Sequence, residues 1–235
     1  MSVILNIVNP CYNPKQGWEK NLLENYKSLI LQLPAEVKVH LFLVNDGSCE
    51  GISNQSIIYL DEQLHHFTYI HHSENSGKGF AIRSAMQRIK EGYVMYTDID
   101  YPFKTESMVE IFHLLHSSKY DVVLGVRTRE YFRKLPLTRK IFSFLLRTAN
   151  HLFFPGLLVK DTQSGLKACN QKGRAAFLNT RINGFLFEPE FIRLCTRENL
   201  RIKGIALKAK DNIYFSFLDW KVLRKELCNY IRLMV

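Results

Sequence analysis

The sequence predicts an α/β fold in which a mostly parallel sheet is flanked by helices. Two observations lead to this prediction. Short runs rich in Val, Ile and aromatic residues alternate with segments of helical period through the first half of the chain. Polar residues follow several of these runs directly, as they do where parallel strands carry ligand-binding loops at their carboxyl ends. Alternation of this kind produces right-handed crossovers, which place helices on both faces of the sheet.

The individual elements follow from the local patterns. Strands are predicted where apolar and β-branched residues lie between polar turns, namely Val3–Val8, Val37–Val44, Phe67–Ile70, Tyr93–Thr97 and Val122–Val126. Helices are predicted between them at Trp18–Leu31, Gly51–Leu64, Gly79–Lys90 and Ser107–Ser117. No repeat or low-complexity linker divides the chain. We therefore expect one domain over residues 1–235, with a ligand-binding half at 1–126 and an elaboration of it at 127–235.

The composition is that of a soluble globular protein with an excess of basic residues. The 235 residues carry a formal net charge of +10, which favours an anionic partner such as a phosphorylated substrate, an anionic lipid surface or nucleic acid. Five cysteines are widely spaced and form no CxxC pair, which argues against a zinc site or a disulfide framework. No basic segment precedes the first apolar run, so no signal peptide is predicted, and no uninterrupted apolar stretch is long enough for a spanning helix.

Asp98 and Asp100 are the first candidate site residues. They follow the apolar run that begins at Tyr93, and residues two apart in an extended chain point to the same side. Repulsion between two carboxylates at 4 Å is roughly 4 kcal/mol at an effective dielectric of 20, so the pair favours a bound cation. Hard oxygen ligands suit Mg²⁺ or Mn²⁺, which often bridge to substrate phosphates. The alternative is a solvated loop.

Two glycine-containing loops are ambiguous by themselves. The loop Asn75–Gly79 departs from both GxxxxGK[ST] and GxGxxG, and leaves a tight turn that leads into a helix, with Lys78 as a point charge. Its amides either face an anion or simply cap the helix. The Asn45–Ser48 segment is either a strand-ending turn or a carboxylate, Asp46, held at the sheet edge to accept hydrogen bonds from a base or ribose.

In their order, six motifs resemble the family 2 glycosyltransferases of GT-A fold, a Rossmann-like α/β architecture. The motifs are NPCYNP, LVNDGS, NSGKGFAIRSAM, YTDIDYPF, VVLGVRTR and KDTQSGLKACN, and a weaker similarity lies at Phe187–Glu190. Within the family, the polyprenyl-phosphate or dolichyl-phosphate mannose and glucose synthase branch is the most similar. Each motif is weak alone, but their common order and spacing are specific.

The resemblance implies a set of roles. A nucleotide-sugar would contact the loop at the end of the first strand, Asp46, the glycine loop and the first aspartate of the pair. The residues are Pro10, Tyr12, Asn13, Asp46, Lys78, Gly79 and Asp98. Asp98 and Asp100 would form the DxD motif that holds Mg²⁺ or Mn²⁺ on the donor diphosphate. The catalytic residues would be Asp100, Arg127 and Asp161, and the acceptor would contact Arg127, Arg139, Gln163 and Lys167.

The chain departs from the family pattern at three positions. Asn45 replaces the first Asp of the usual DDGS, Pro102 stands where the family often has Gln, and Pro14 follows Asn13 in place of an acidic residue. These departures bear on donor identity and metal affinity.

The predicted reaction is an inverting transfer of a hexose from a GDP-mannose or UDP-glucose type donor to a polyprenyl or dolichyl phosphate. A phosphate acceptor is already anionic near neutral pH, with a second pKa of about 6, so it needs cations such as Arg127 and Arg139 more than a general base. One alternative is transfer to a saccharide hydroxyl, which needs a base from Asp161 or Glu188. A second is a basic membrane- or nucleic-acid-binding module, although no nucleic-acid motif is present and no nucleic-acid partner is expected.

Two basic amphipathic segments predict contact with a membrane surface. Seven Lys and Arg lie between Arg127 and Arg147, interleaved with apolar residues at helical spacing. A second stripe comprises Trp220, Leu223, Leu227, Tyr230 and Met234. We expect peripheral association with the cytoplasmic face of a membrane, with an integral membrane protein as a further partner. A core-facing helix with a solvated basic face is the alternative.

Overall fold

The computed structural model describes residues 3–153, 161 and 163–211. Its strands are β1 (Val3–Cys11), β2 (Val37–Asp46), β3 (Phe67–His72), β4 (Tyr93–Tyr96), β5 (Val122–Arg127), β6 (Lys167–Cys169) and β7 (Ile202–Leu207). In this part of the chain they form one sheet in the order β3-β2-β1-β4-β6-β5-β7. Neighbours are parallel except around β6, which runs antiparallel to both β4 and β5. The predicted mostly parallel α/β sheet is confirmed.

Helices cover both faces of this sheet. They are α1 (Trp18–Gln32), α2 (Asn54–Gln63), α3 (Lys78–Arg88), α4 (Thr105–His116), α5 (Arg129–Lys134), α6 (Leu137–Phe153), α7 (Gln171–Leu178) and α8 (Phe187–Arg197). Successive strand residues alternate between two apolar clusters: Ile7 packs with α1 and α4, whereas Val8 packs with α3, α7 and α8. The sheet is therefore buried on both sides, and its carboxyl edge is left to carry the loops.

The predicted elements correspond closely to the observed ones up to residue 127. All five predicted strands and all four predicted helices are present, with ends shifted by a few residues. The predicted helix at Gly51–Leu64 begins later, at Asn54, because Ser53 caps it by accepting a hydrogen bond from the amide of Ser56. The sequence analysis did not identify β6 and β7.

The basic segment after β5 forms two helices, α5 and α6. Thr128 caps α5 by accepting a hydrogen bond from the amide of Tyr131. Within the described ranges, no helix combines the length and apolar character needed to cross a membrane. The predicted stripe from Trp220 to Met234 lies outside the described residues.

Candidate active site

The Asp98–Asp100 loop follows the carboxyl end of β4, and the side chain of Asn9 holds it in place. The buried Asn9 side chain donates a hydrogen bond to the carbonyl oxygen of Thr97 at 3.0 Å and accepts one from the Tyr101 hydroxyl at 2.9 Å. Asn21 donates to the carbonyl oxygen of Asp100 at 3.3 Å. The loop that carries both carboxylates is thus held by a buried amide that the sequence analysis did not single out.

Asp98 is engaged on both of its carboxylate oxygens. Its Oδ1 accepts a hydrogen bond from Lys78 Nζ at 2.6 Å. Its Oδ2 lies so close to Gly165 that a Cβ at that position would fall far inside van der Waals contact. A side chain at position 165 would therefore displace the Asp98 carboxylate, which packs on the glycine backbone of the DTQSGLK segment.

Asp100 lies two residues after Asp98, and its pKa reflects both burial and the repulsion between the two carboxylates. Burial, followed by the negative charge of Asp98, raises the pKa of Asp100 to about 6, although Lys78 and Lys210 act in the opposite direction. Among the described residues no group of three His, Cys, Asp or Glu side chains could hold a metal ion. The two carboxylates fit a hard divalent cation that completes its coordination with substrate phosphates and water, as Mg²⁺ commonly does.

The glycine loop is held by Asp46, which is almost completely buried. Asp46 Oδ1 accepts hydrogen bonds from the Ser76 amide at 3.1 Å and from His72 Nδ1 at 2.9 Å, and its Oδ2 accepts one from the Gly77 amide at 2.7 Å. The predicted contact of Asp46 with a base or ribose is not tested by this geometry. What the structure provides is a carboxylate that fixes the conformation of the loop.

Two further amides at the start of α3 also bond within the protein. The Asn183 carbonyl oxygen accepts hydrogen bonds from the Gly79 amide at 2.8 Å and the Phe80 amide at 3.4 Å. The Arg83 guanidinium donates to Asn183 Oδ1 at 2.5 Å and to Thr180 Oγ1 at 2.9 Å, which fixes the segment before α8. Of the two interpretations of the glycine loop, this arrangement favours the helix cap over an amide cradle for an anion, and leaves the Lys78 side chain to face the site.

The Pro10–Asn13 loop is hydrogen-bonded to the loop that follows β2. Asn13 has a left-handed φ of 44°, donates its amide to Ser48 Oγ at 2.9 Å, and accepts from the Cys49 amide at 2.9 Å. Trp18 Nε1 donates to the carbonyl oxygen of Gly51 at 2.8 Å. Pro10 lies within β1, and Tyr12, the first residue after that strand, is exposed, so its aromatic ring is available to a ligand.

Arg127 and Asp161 form the best-connected ion pair of the site. Asp161 accepts hydrogen bonds from the Arg127 amide, from Nε and from Nη2, the last at 2.5 Å. Arg127 Nη2 also donates to Ser143 Oγ at 3.0 Å and to Gln163 Oε1 at 3.5 Å. Burial alone would raise the pKa of Asp161, but the hydrogen bonds and charge of Arg127 outweigh it and lower that pKa. Asp161 is therefore a carboxylate that orients Arg127.

Arg139 lies near the start of α6. Burial lowers the pKa of its guanidinium, and the nearby groups of Tyr131, Asp98 and Asp100 oppose this shift. Asp98 and Asp100 follow β4, and Arg127 ends β5. Both strands run antiparallel to β6, so these residues lie at the same carboxyl edge of the sheet.

Lys167 is placed differently from an acceptor ligand. It lies inside the protein with none of its side chain exposed, bonds Glu188 Oε1 at 2.7 Å, and donates to the Ser164 carbonyl oxygen. Burial raises the pKa of Glu188 despite the nearby charges of Lys167 and Lys78, and lowers that of Lys167 despite Glu188. The predicted contact of Lys167 with acceptor remains a prediction, and the position of the ammonium argues for a structural role.

A mostly parallel α/β sheet with a pair of carboxylates at its carboxyl edge is the architecture of a glycosyltransferase. The sequence pattern of Glycosyl transferase family 2 matches residues 6–174, and the chain belongs to this family. It is 25% identical to dolichyl-phosphate beta-glucosyltransferase of Saccharomyces cerevisiae over 87% of its length, and 22% identical to glycosyltransferase AglD of Haloferax volcanii over 85%. The chain spans 66% and 32% of these two relatives.

Solved structures confirm the GT-A fold. Mannosyl-3-phosphoglycerate synthase from Rubrobacter xylanophilus superposes with a TM-score of 0.71 at 14% identity, over 98% of this chain and 74% of that one. Glucosyl-3-phosphoglycerate synthase from Mycobacterium tuberculosis, solved with Mn²⁺, UDP and its product, gives 0.68 at 14% identity over 99% and 77%.

Proposed function

We propose that this protein transfers a hexose from a nucleotide-sugar to a polyprenyl or dolichyl phosphate with inversion at the anomeric carbon, using Mg²⁺ or Mn²⁺. The observation that carries the proposal is the placement of Asp98 and Asp100 after β4 and of Arg127 at the end of β5, at the same carboxyl edge of the sheet, with Arg127 held by Asp161. A relative named for glucosyl transfer to dolichyl phosphate supports the acceptor class.

The donor end is built from the carboxylate pair. A divalent cation held by Asp98 and Asp100 would neutralise negative charge that grows on the leaving diphosphate. Lys78, fixed beside Asp98, adds a positive charge to the same place. The exposed ring of Tyr12 offers a surface for the base.

The acceptor end is cationic. An acceptor phosphate oxygen attacks the anomeric carbon, the bond from that carbon to the diphosphate oxygen breaks, and the electron pair leaves on the nucleoside diphosphate. Arg139 holds the incoming phosphate, and Arg127 adds a positive charge whose position is set by Asp161. These cations offset the repulsion between the two anionic substrates.

Transfer to a saccharide hydroxyl finds less support in the geometry. Such an acceptor needs a general base, and the two carboxylates considered for that role are Asp161 and Glu188. Asp161 is bound by Arg127, and Glu188 is buried against Lys167. A phosphate acceptor requires neither carboxylate as a base.

The exposed face of α6 supports docking on an anionic membrane surface. Leu137, Ile141 and Phe144 lie on one face of the helix and are each more than half exposed. Arg133 and Lys140 are exposed nearby. Each basic residue near an anionic leaflet contributes on the order of 1 kcal/mol to binding.

Liposome flotation tests this surface. Ile141→Glu should reduce flotation with anionic vesicles, whereas Leu31→Glu, which introduces the same charge at an exposed leucine of α1, should not. Equal loss in both variants, or a wild-type protein that never floats, would contradict the proposed docking face.

The activity test follows label from nucleotide-sugar into the organic phase. Purified protein, Mg²⁺, labelled UDP-glucose or GDP-mannose and a polyprenyl phosphate should give a labelled lipid. Asp100→Asn should abolish this transfer, while Asp61→Asn, an exposed aspartate of α2, should leave it intact. Label found on a saccharide hydroxyl and never on lipid would overturn the proposed acceptor.

A further inference from the structure

The Lys78–Asp98 ion pair has an unusual position for a surface interaction. Lys78 is the first residue of α3, and the amides on either side of it are fixed, Gly77 by Asp46 and Gly79 by Asn183. The Lys78 side chain is only 16% exposed and the Asp98 side chain 37%. The backbone around Lys78 is therefore constrained, and it places the ammonium against the carboxylate.

The second oxygen of Asp98 gives little room for an alternative arrangement. Asp98 Oδ2 packs on the backbone of Gly165, while Oδ1 holds Lys78 Nζ at 2.6 Å. A metal ion that binds Asp98 therefore shares this carboxylate with the Lys78 ammonium. Because the two cations repel each other, metal binding favours displacement of the ammonium.

The charges of the site point in the same direction. The Lys78 ammonium contacts Asp98, one of two neighbouring carboxylates, and its single positive charge does not balance both. A divalent cation on the pair would balance both carboxylates, so Asp98 would no longer need the ammonium as a counter-charge. An ammonium displaced from Asp98 then lies beside the place where a diphosphate would join the metal, and three N–H donors suit phosphate oxygens.

We propose that Lys78 serves as the resident counter-cation of the Asp98–Asp100 pair, is displaced from Asp98 by the divalent metal, and then binds the donor diphosphate. This inference rests on the proposed metal-dependent transfer and adds the order in which the metal and the donor diphosphate bind. Metal alone binds weakly because it competes with Lys78, and metal with diphosphate binds well because the displaced ammonium gains a new partner.

The test measures binding of Mn²⁺ alone by electron paramagnetic resonance. Lys78→Met should bind Mn²⁺ about two- to fivefold more tightly than wild type, the range expected when a partly exposed ion pair no longer competes. Lys90→Met, which removes the same charge beyond the other end of α3, controls for net charge and should match wild type. Lys78→Arg retains a cation and should also remain close to wild type. Mn²⁺ affinity that is unchanged or weaker in Lys78→Met would overturn the proposal.

Asp98→Asn separates this inference from the function on which it rests. Loss of Mn²⁺ binding in Asp98→Asn together with no tightening in Lys78→Met would overturn the role of Lys78 alone. Unchanged Mn²⁺ binding in Asp98→Asn would overturn the metal site itself. A direct readout is the ¹⁵N ammonium resonance of Lys78, assigned by its absence in Lys78→Met. It should shift when Mg²⁺ is added and shift again when UDP or GDP follows, and a resonance that ignores Mg²⁺ would refute displacement.

Discussion

Replacement of Lys167 by methionine should destabilise the protein severely. The Lys167 and Glu188 side chains are 0% and 5% exposed, and their charged atoms lie 2.7 Å apart. Removal of one partner leaves a carboxylate buried without its cation and removes a donor from the Ser164 carbonyl oxygen. Breaking a buried pair in this way costs about 3–5 kcal/mol, a large part of the roughly 5–15 kcal/mol that stabilises a typical domain.

Urea unfolding followed by circular dichroism measures this loss. Lys134→Met is the matched control, since Lys134 pairs with the largely exposed Asp211 at 3.2 Å and should cost less than about 1 kcal/mol. The double variant Lys167→Met/Glu188→Leu should recover much of the stability, because a buried ion pair can be replaced by apolar groups at little cost. If Lys167→Met were as stable as Lys134→Met but had a raised KM for acceptor, Lys167 would be an acceptor ligand and the structural role would be refuted.

Three further variants test the site and its support. Gly165→Ala should abolish Mn²⁺ binding, because the new methyl group would displace Asp98; retained binding would show that the close packing is not required. Asp46→Asn should speed hydrogen exchange at the two loop amides that its carboxylate binds and should raise the donor KM; unchanged exchange would contradict the clamp. Hydrogen bonds from Arg201 hold the pKa of Asp121 well below its ordinary value of about 4, so this carboxylate stabilises the fold above that pH and its contribution is lost as pH falls toward the folded-state pKa. The urea midpoint of wild type should therefore fall more steeply with acidification than that of Asp121→Asn, and parallel curves would refute the assignment.

The sequence predicts the first five strands because each is a short run rich in Val, Ile and aromatic residues and bounded by turn residues. It fails at β6, whose three residues include Lys167, a charged side chain that is buried only because Glu188 reaches it from α8. A pattern so short carries no period, and its pairing with β4 and β5 depends on residues far along the chain. This strand therefore depends on tertiary contacts, which the local sequence does not reveal.

The candidate site is likewise predicted only in part from the local sequence. The position of Asp98 and Asp100 after β4 follows from local sequence. The function of the glycine loop does not, since its Gly79 amide bonds Asn183, about a hundred residues later. Local sequence can indicate that a loop has amides to donate, but only the tertiary structure shows that Asp46 and Asn183 accept them.

The reversed strand β6 also constrains how the chain can be assembled. β4 and β5 are complete by residue 127, yet they do not pair with each other, because both bond to β6, which begins at Lys167. While the chain emerges from a ribosome, β4 and β5 must therefore wait with unpaired edges until the later segment is made. A fragment that ends at residue 126 lacks the strand that joins its own sheet, and the same late pairing brings Gly165 against Asp98. The strand that joins β4 to β5 and the backbone that packs on Asp98 are thus supplied by one short segment, residues 165–169.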